Sequence, residues 1–63
     1  MKAEQAIEGH LYHLKARGTN PEELQAECYG LNHSKEFMRF LVFGKYGERK
    51  IRMVFLTEEI EAI

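Results

Sequence analysis

The chain has 63 residues, nine Lys and Arg against ten Asp and Glu, and a formal net charge of −1 with its histidines neutral. That length allows one domain spanning residues 1–63, too small to enclose a ligand pocket of about 300 Å³ or more, and the charge gives no long-range pull toward polyanions. A lone cysteine, Cys28, excludes an internal disulfide.

A chain this short buries only about 60% of the surface its unfolded form exposes, so a metal or a partner subunit is the expected source of extra stability. No apolar run approaches the roughly 20 residues of a membrane span. The first residues, Met1-Lys2-Ala3-Glu4-Gln5, lack the apolar stretch of a leader. A soluble, cytoplasmic protein that does not contact membranes is expected.

The first element is expected to be a helix over 3–17. Ala3, Ile7, Leu11 and Leu14 recur at spacings of four, four and three, which places them on one helical face. Lys15 and Arg17 suit the last turn, and Gly18 suits the residue after it. Gly9 is the flaw, since an interior glycine costs about 1 kcal/mol relative to alanine. A second, shorter helix starts at Asn20-Pro21-Glu22-Glu23, with Asn20 as cap, Pro21 at the first helical position and Glu23 closing a capping box. Leu24, Cys28 and Leu31 form its apolar side, and Gly30 ends it.

After the polar connector Asn32-His33-Ser34-Lys35, two β-rich runs, 37–43 and 49–56, flank a glycine-containing turn and read as a hairpin. Two registers are open. With Tyr46-Gly47 as a two-residue turn, Val42 faces Ile51, Phe40 faces Met53 and Met38 faces Phe55, giving an apolar face to pack on the helices. A three-residue turn with Gly47 in a bulge slips the register by one and puts Arg39 beside Ile51 and Met53. The first is preferred because it keeps Arg39 out of the core. The tail from Thr57 reads as a short capped helix or a strand extension. The expected fold class is therefore α+β: two N-terminal helices packed on a C-terminal β-hairpin, with a possible short C-terminal helix.

The first strand of that hairpin is apolar on both faces, and helices cover only one. The expectation is self-association through the hairpin as a homodimer or higher oligomer. Arg39, Phe43, Tyr46 and Arg52 are the candidate contacts with a protein partner, because aromatics and arginine dominate interface hot spots.

From 31 to 52, six basic residues (Lys35, Arg39, Lys45, Arg49, Lys50, Arg52) stand against Glu36 and Glu48. Lys45, Arg49, Lys50 and Arg52 around the hairpin are the candidate nucleic-acid contacts, since a β-ribbon fits the major groove and cations there meet phosphates. A winged helix-turn-helix, with 34–43 as recognition helix, is the lesser form of that reading.

Catalytic and metal constellations are weak. His10 and His13 would share one side of a helix, with Cys28 or His33 as a third ligand, but the spacing fits no zinc template. Cys28 has no assigned base, and Gly44-Lys45-Tyr46-Gly47 lacks the spacing of a phosphate loop. No enzyme, cofactor or metal is expected. The leading function is a small non-enzymatic interaction or regulatory module, with nucleic-acid binding as the alternative.

Overall fold

The computed structural model describes residues 1–15, 23–44 and 46–63. A 3-10 turn, Ala3–Gln5, precedes five strands: β1 Leu11–Lys15, β2 Glu23–Leu31, β3 Phe37–Phe43, β4 Arg49–Phe55 and β5 Glu61–Ala62. They form one sheet in the order β4-β3-β2-β1-β5, antiparallel at every junction. The chain runs as a four-strand meander, and the last strand returns to pair beside the first.

The expected α+β arrangement of two helices on a hairpin is overturned. Among the described residues the only helical element is the 3-10 turn. Of the residues expected to form the first helix, 3–15 instead form the 3-10 turn, a turn at Glu8 and Gly9, and β1, while 16–17 lie outside the described residues. The spacing of Ala3, Ile7, Leu11 and Leu14 is not a stripe, since Ala3 and Leu14 are buried while Ile7 and Leu11 are exposed. Alternation decides the matter: Tyr12 and Leu14 point inward, and Leu11 and Lys15 outward. Gly9 takes φ 89° in the turn that leads into β1, a left-handed conformation that a helix interior forbids.

The second expected helix is β2, in which the buried Ala26 and Cys28 alternate with the exposed Gln25, the half-buried Glu27 and the exposed Tyr29. Its expected cap, Asn20-Pro21-Glu22, and the expected stop at Gly18 lie outside the described residues. Gly30 does not end a helix. It lies in a bulge, where Cys28 pairs with Phe40 and Gly30 pairs with Arg39. The tail is a strand, which removes the possible C-terminal helix, and the recognition helix considered for 34–43 is largely β3.

The β3–β4 hairpin is where the sequence places it, but it takes the second register. The Gly44 N–H donates to the Glu48 carbonyl at 2.8 Å, and the Gly47 N–H to the Gly44 carbonyl at 3.3 Å. Gly47 has φ 81°, the left-handed residue that ends a three-residue hairpin loop. Arg39 therefore pairs with Met53, Leu41 with Ile51 and Phe40 with Arg52. The reason for preferring the other register fails because Ile51 and Met53 lie on the open side of the sheet, so Arg39 leaves the core by joining them.

The core is one face of the sheet plus its cover. Tyr12, Leu14, Ala26, Cys28, Met38, Phe40 and Val54 point into it, and Ala3 and Ile60 close it from the terminal segments. Phe40 is fully buried, with the Tyr12 ring edge-on at 6.0 Å. The two terminal segments pair along Lys2 and Glu59, with Ala3 N–H donating to the Glu58 carbonyl and Ile60 N–H to that of Met1. The Met1 ammonium donates to the Ile60 carbonyl at 2.9 Å and lies 3.4 Å from the Glu59 carboxylate.

The sheet is strongly curled. Arg52 Nη1 donates to the Lys15 carbonyl at 2.7 Å. In a flat sheet β4 and β1 stand three strand spacings, about 14 Å, apart, beyond the reach of one arginine side chain.

Two substitutions test this account by denaturant unfolding. Phe40→Ala is expected to cost about 3–5 kcal/mol, enough to unfold most of so small a domain. Gly47→Ala is expected to cost about 1–2 kcal/mol by forcing a side chain into the left-handed region. An unchanged midpoint for Gly47→Ala would rule out the three-residue loop.

Candidate functional site: the open face of the sheet

The face opposite the core has no chain laid over it among the described residues. Because directly paired residues point to the same side, the register assembles it row by row. One row runs Ile51, Leu41, Glu27, Leu11, and Ile63 follows opposite Leu11, to whose carbonyl its N–H donates at 3.3 Å. The next holds Arg49 and Phe43 on one side and Gln25, His13 and Glu61 on the other. Beyond Ile51, Met53 pairs with Arg39, and Phe55 pairs with Phe37.

Apolar side chains gather on the β3–β4 half. Ile51 is 49% exposed, Met53 44% and Phe55 60%, and Phe37, Leu41 and Phe43 beside them are half-buried. The Phe37 and Phe55 rings stack at 5.2 Å with a tilt of 47°, and the Arg49 guanidinium lies 5.6 Å over the Phe43 ring. Arg39 is half-buried and held by a 2.8 Å bond from Nη2 to the Tyr29 carbonyl. The cations on this half are thus tied to the apolar surface they border. The β1–β2–β5 half carries Glu27, Glu61 and Lys15 with Leu11, Ile63, Gln25 and His13.

Of the candidate protein contacts, Arg39 and Phe43 are brought together on this face. Tyr46 stands apart at the hairpin tip, 93% exposed. Arg52 points to the core side, with Nη1 on the Lys15 carbonyl. Of the candidate nucleic-acid contacts, Arg49 and Lys50 are both exposed but project to opposite faces, and Lys45 lies outside the described residues. Leu11, Glu27, Glu61 and Ile63 are not among the candidate contacts, because the sequence reading places each on a helix or in the tail. Alternation over 11–15 was the signal that would have found Leu11.

Chemistry-bearing groups elsewhere are dispersed. His10 and His13 do not share a helical side. His10 precedes β1 and its carbonyl accepts from the Cys28 N–H, whereas His13 lies on the open face between Gln25 and Glu61. No group of three His, Cys, Asp or Glu side chains suited to a metal occurs among the described residues. One open depression is lined by Met1, His13, Leu14, Lys15, Glu59, Ile60 and Glu61, and another by residues of 9–12 with Ala62 and Ile63; Cys28 lines neither. Burial pushes the Cys28 thiol above its ordinary value of 9.0, aided by the Glu8 carboxylate and opposed by a hydrogen bond to the Gly30 backbone and by Arg39.

No helix among the described residues is long and apolar enough to cross a membrane. Comparison with protein-family models, with curated proteins and with solved structures finds no match.

The Cys28 thiol offers a test of this packing. Its folded value is raised, so the thiol has no adverse effect on stability below about pH 9. As pH rises through the unfolded value toward the folded one, the unfolded state ionises first and stability falls. Cys28→Ala is expected to fall less steeply over that range in denaturant titrations, and parallel pH profiles would contradict a buried thiol.

Proposed function

We propose that this protein is a small non-enzymatic interaction module, working in the cytoplasm, whose binding surface is the open face of the sheet. The observation that supports this reading is the cluster of Phe37, Leu41, Phe43, Ile51, Met53 and Phe55 on a face that no other described segment covers. A contiguous apolar patch bordered by arginines is what a docking surface offers: desolvated anchors inside and a charged rim outside.

A second reading rests on a different feature. Tyr46 projects from the hairpin tip near the exposed Arg49 and Lys50, a stacking ring beside cations as in single-strand readers. It draws less support, because Arg52 is engaged on the Lys15 carbonyl and the net charge is −1.

Two measurements decide between them. A photo-crosslinking residue in place of Ile51 or Phe55 is expected to capture macromolecules in cells well above the same residue at Glu4 or Tyr46. Equal yields at all four positions would refute the open face as the working surface. Labelled duplex and single-stranded nucleic acid are titrated at about 50 and 200 mM salt; affinity falling steeply between them marks phosphate contacts and supports the second reading.

A further inference from the structure

The open face is divided by charge, and the division is self-complementary. Its β3–β4 half is apolar and cationic, with Arg39 and Arg49. Its β1–β2–β5 half is more polar, with Glu27 and Glu61 against Lys15, beside Leu11 and Ile63. A partner suited to the first half carries apolar side chains next to carboxylates, and the second half of another copy is such a surface.

We infer that the first occupant of the open face is a second copy of this chain, docked face to face about a two-fold axis running along β2. This rests on the open face being the working surface, and it names the partner. Such an axis lays β4 over the partner's β5 and β3 over its β1, while each row stays over the same row. Arg49 then meets Glu61, Ile51 meets Ile63, and Leu41 meets Leu11, each pair occurring twice. Glu27 meets its own copy on the axis and is flanked by Arg39 from both subunits, so the central carboxylates are not left without cations. The strands of the two sheets run in the same sense, the arrangement of aligned sheet packing.

Curvature sorts these contacts. Both sheets curl toward their own cores, so β4 and β5 stand farthest from the partner. Long charged side chains, Arg49 and Glu61, occupy that rim. Two rows cross all five strands and two more continue on β3 and β4 alone, so the paired rows cover roughly 300 Å² in projection, well below the ~800 Å² per partner of a standard interface. The dimer is therefore weak and concentration-dependent, and Phe37, Met53 and Phe55 stay outside its paired rows.

Analytical ultracentrifugation of the full chain at about 5–500 μM and low salt tests the geometry. Both residues are exposed, so their exchange leaves the core intact. A monomer–dimer equilibrium is expected. Arg49→Glu alone and Glu61→Arg alone should each weaken it about ten-fold, because one reversal creates two like-charge pairs. The double variant should return to within about two-fold of the parent. A monomer at every concentration would overturn the inference; crosslinking at Ile51 and Phe55 above the control positions would then still support the face as a docking surface for another partner. A dimer indifferent to either reversal, or a double variant no better than the single ones, would overturn this geometry alone.

Discussion

Among the described residues the chain covers one face of the five-stranded sheet and not the other, and this asymmetry shapes the rest of the molecule. The cover on the buried face is thin: a 3-10 turn, the segment that leads back to β5, and the pairing of the two terminal stretches. Such a cover suffices only because the sheet curls. The reach of Arg52 to the Lys15 carbonyl records that curl, and Phe40 fills the space it encloses. The same curl makes the other face convex, and no described segment is laid over it.

Which residues fall on which face depends on a single loop. In the Gly44–Glu48 connection, a left-handed Gly47 sets the register of β4 against β3. That register sends Met38, Phe40 and Val54 inward and Arg39, Leu41, Ile51, Met53 and Phe55 outward. A slip of one residue would exchange Ile51 and Met53 for Arg52 and Val54 and undo both faces. The loop before β3 is held with similar economy: Asn32 Oδ1 accepts from the Glu36 and Phe37 N–H groups at 2.9 and 3.0 Å. The core and the candidate surface are therefore two consequences of the same turn chemistry.

The hairpin was legible because β-branched and aromatic residues are dense over 37–43 and 51–56 and a glycine-rich turn separates them. So was the doubly apolar character of β3, with Arg39 and Phe43 among its surface groups. The N-terminal half was not. Ala3, Ile7, Leu11 and Leu14 match a helical spacing by coincidence, and two of the four are exposed. The true signal, alternation across Leu11–Lys15, is only five residues long, and Gly9 marks a turn rather than a tolerated flaw. Tertiary demand supplies what local pattern lacked. A two-stranded ribbon is marginal alone, and three or more strands give it a stable hydrophobic face; β2 and β1 satisfy that demand by continuing the sheet. The acidic half of the candidate site was hidden for the same reason, since Glu27 and Leu11 share a face with Leu41 only once they are strand residues.

The placement of charge also separates association from aggregation. β4 lies at an edge of the sheet order and carries Arg49, Lys50 and Arg52 within seven residues. Two such strands brought edge to edge, centred on Arg52, would set that arginine against its own copy, so the edge resists the pairing its apolar residues would otherwise invite. On the face, the same strand presents Ile51, Met53 and Phe55 with Arg49 drawn over the Phe43 ring. Cation density is thus greatest where pairing would be open-ended. The charge on this strand therefore opposes open-ended edge pairing while its apolar residues stay on the face.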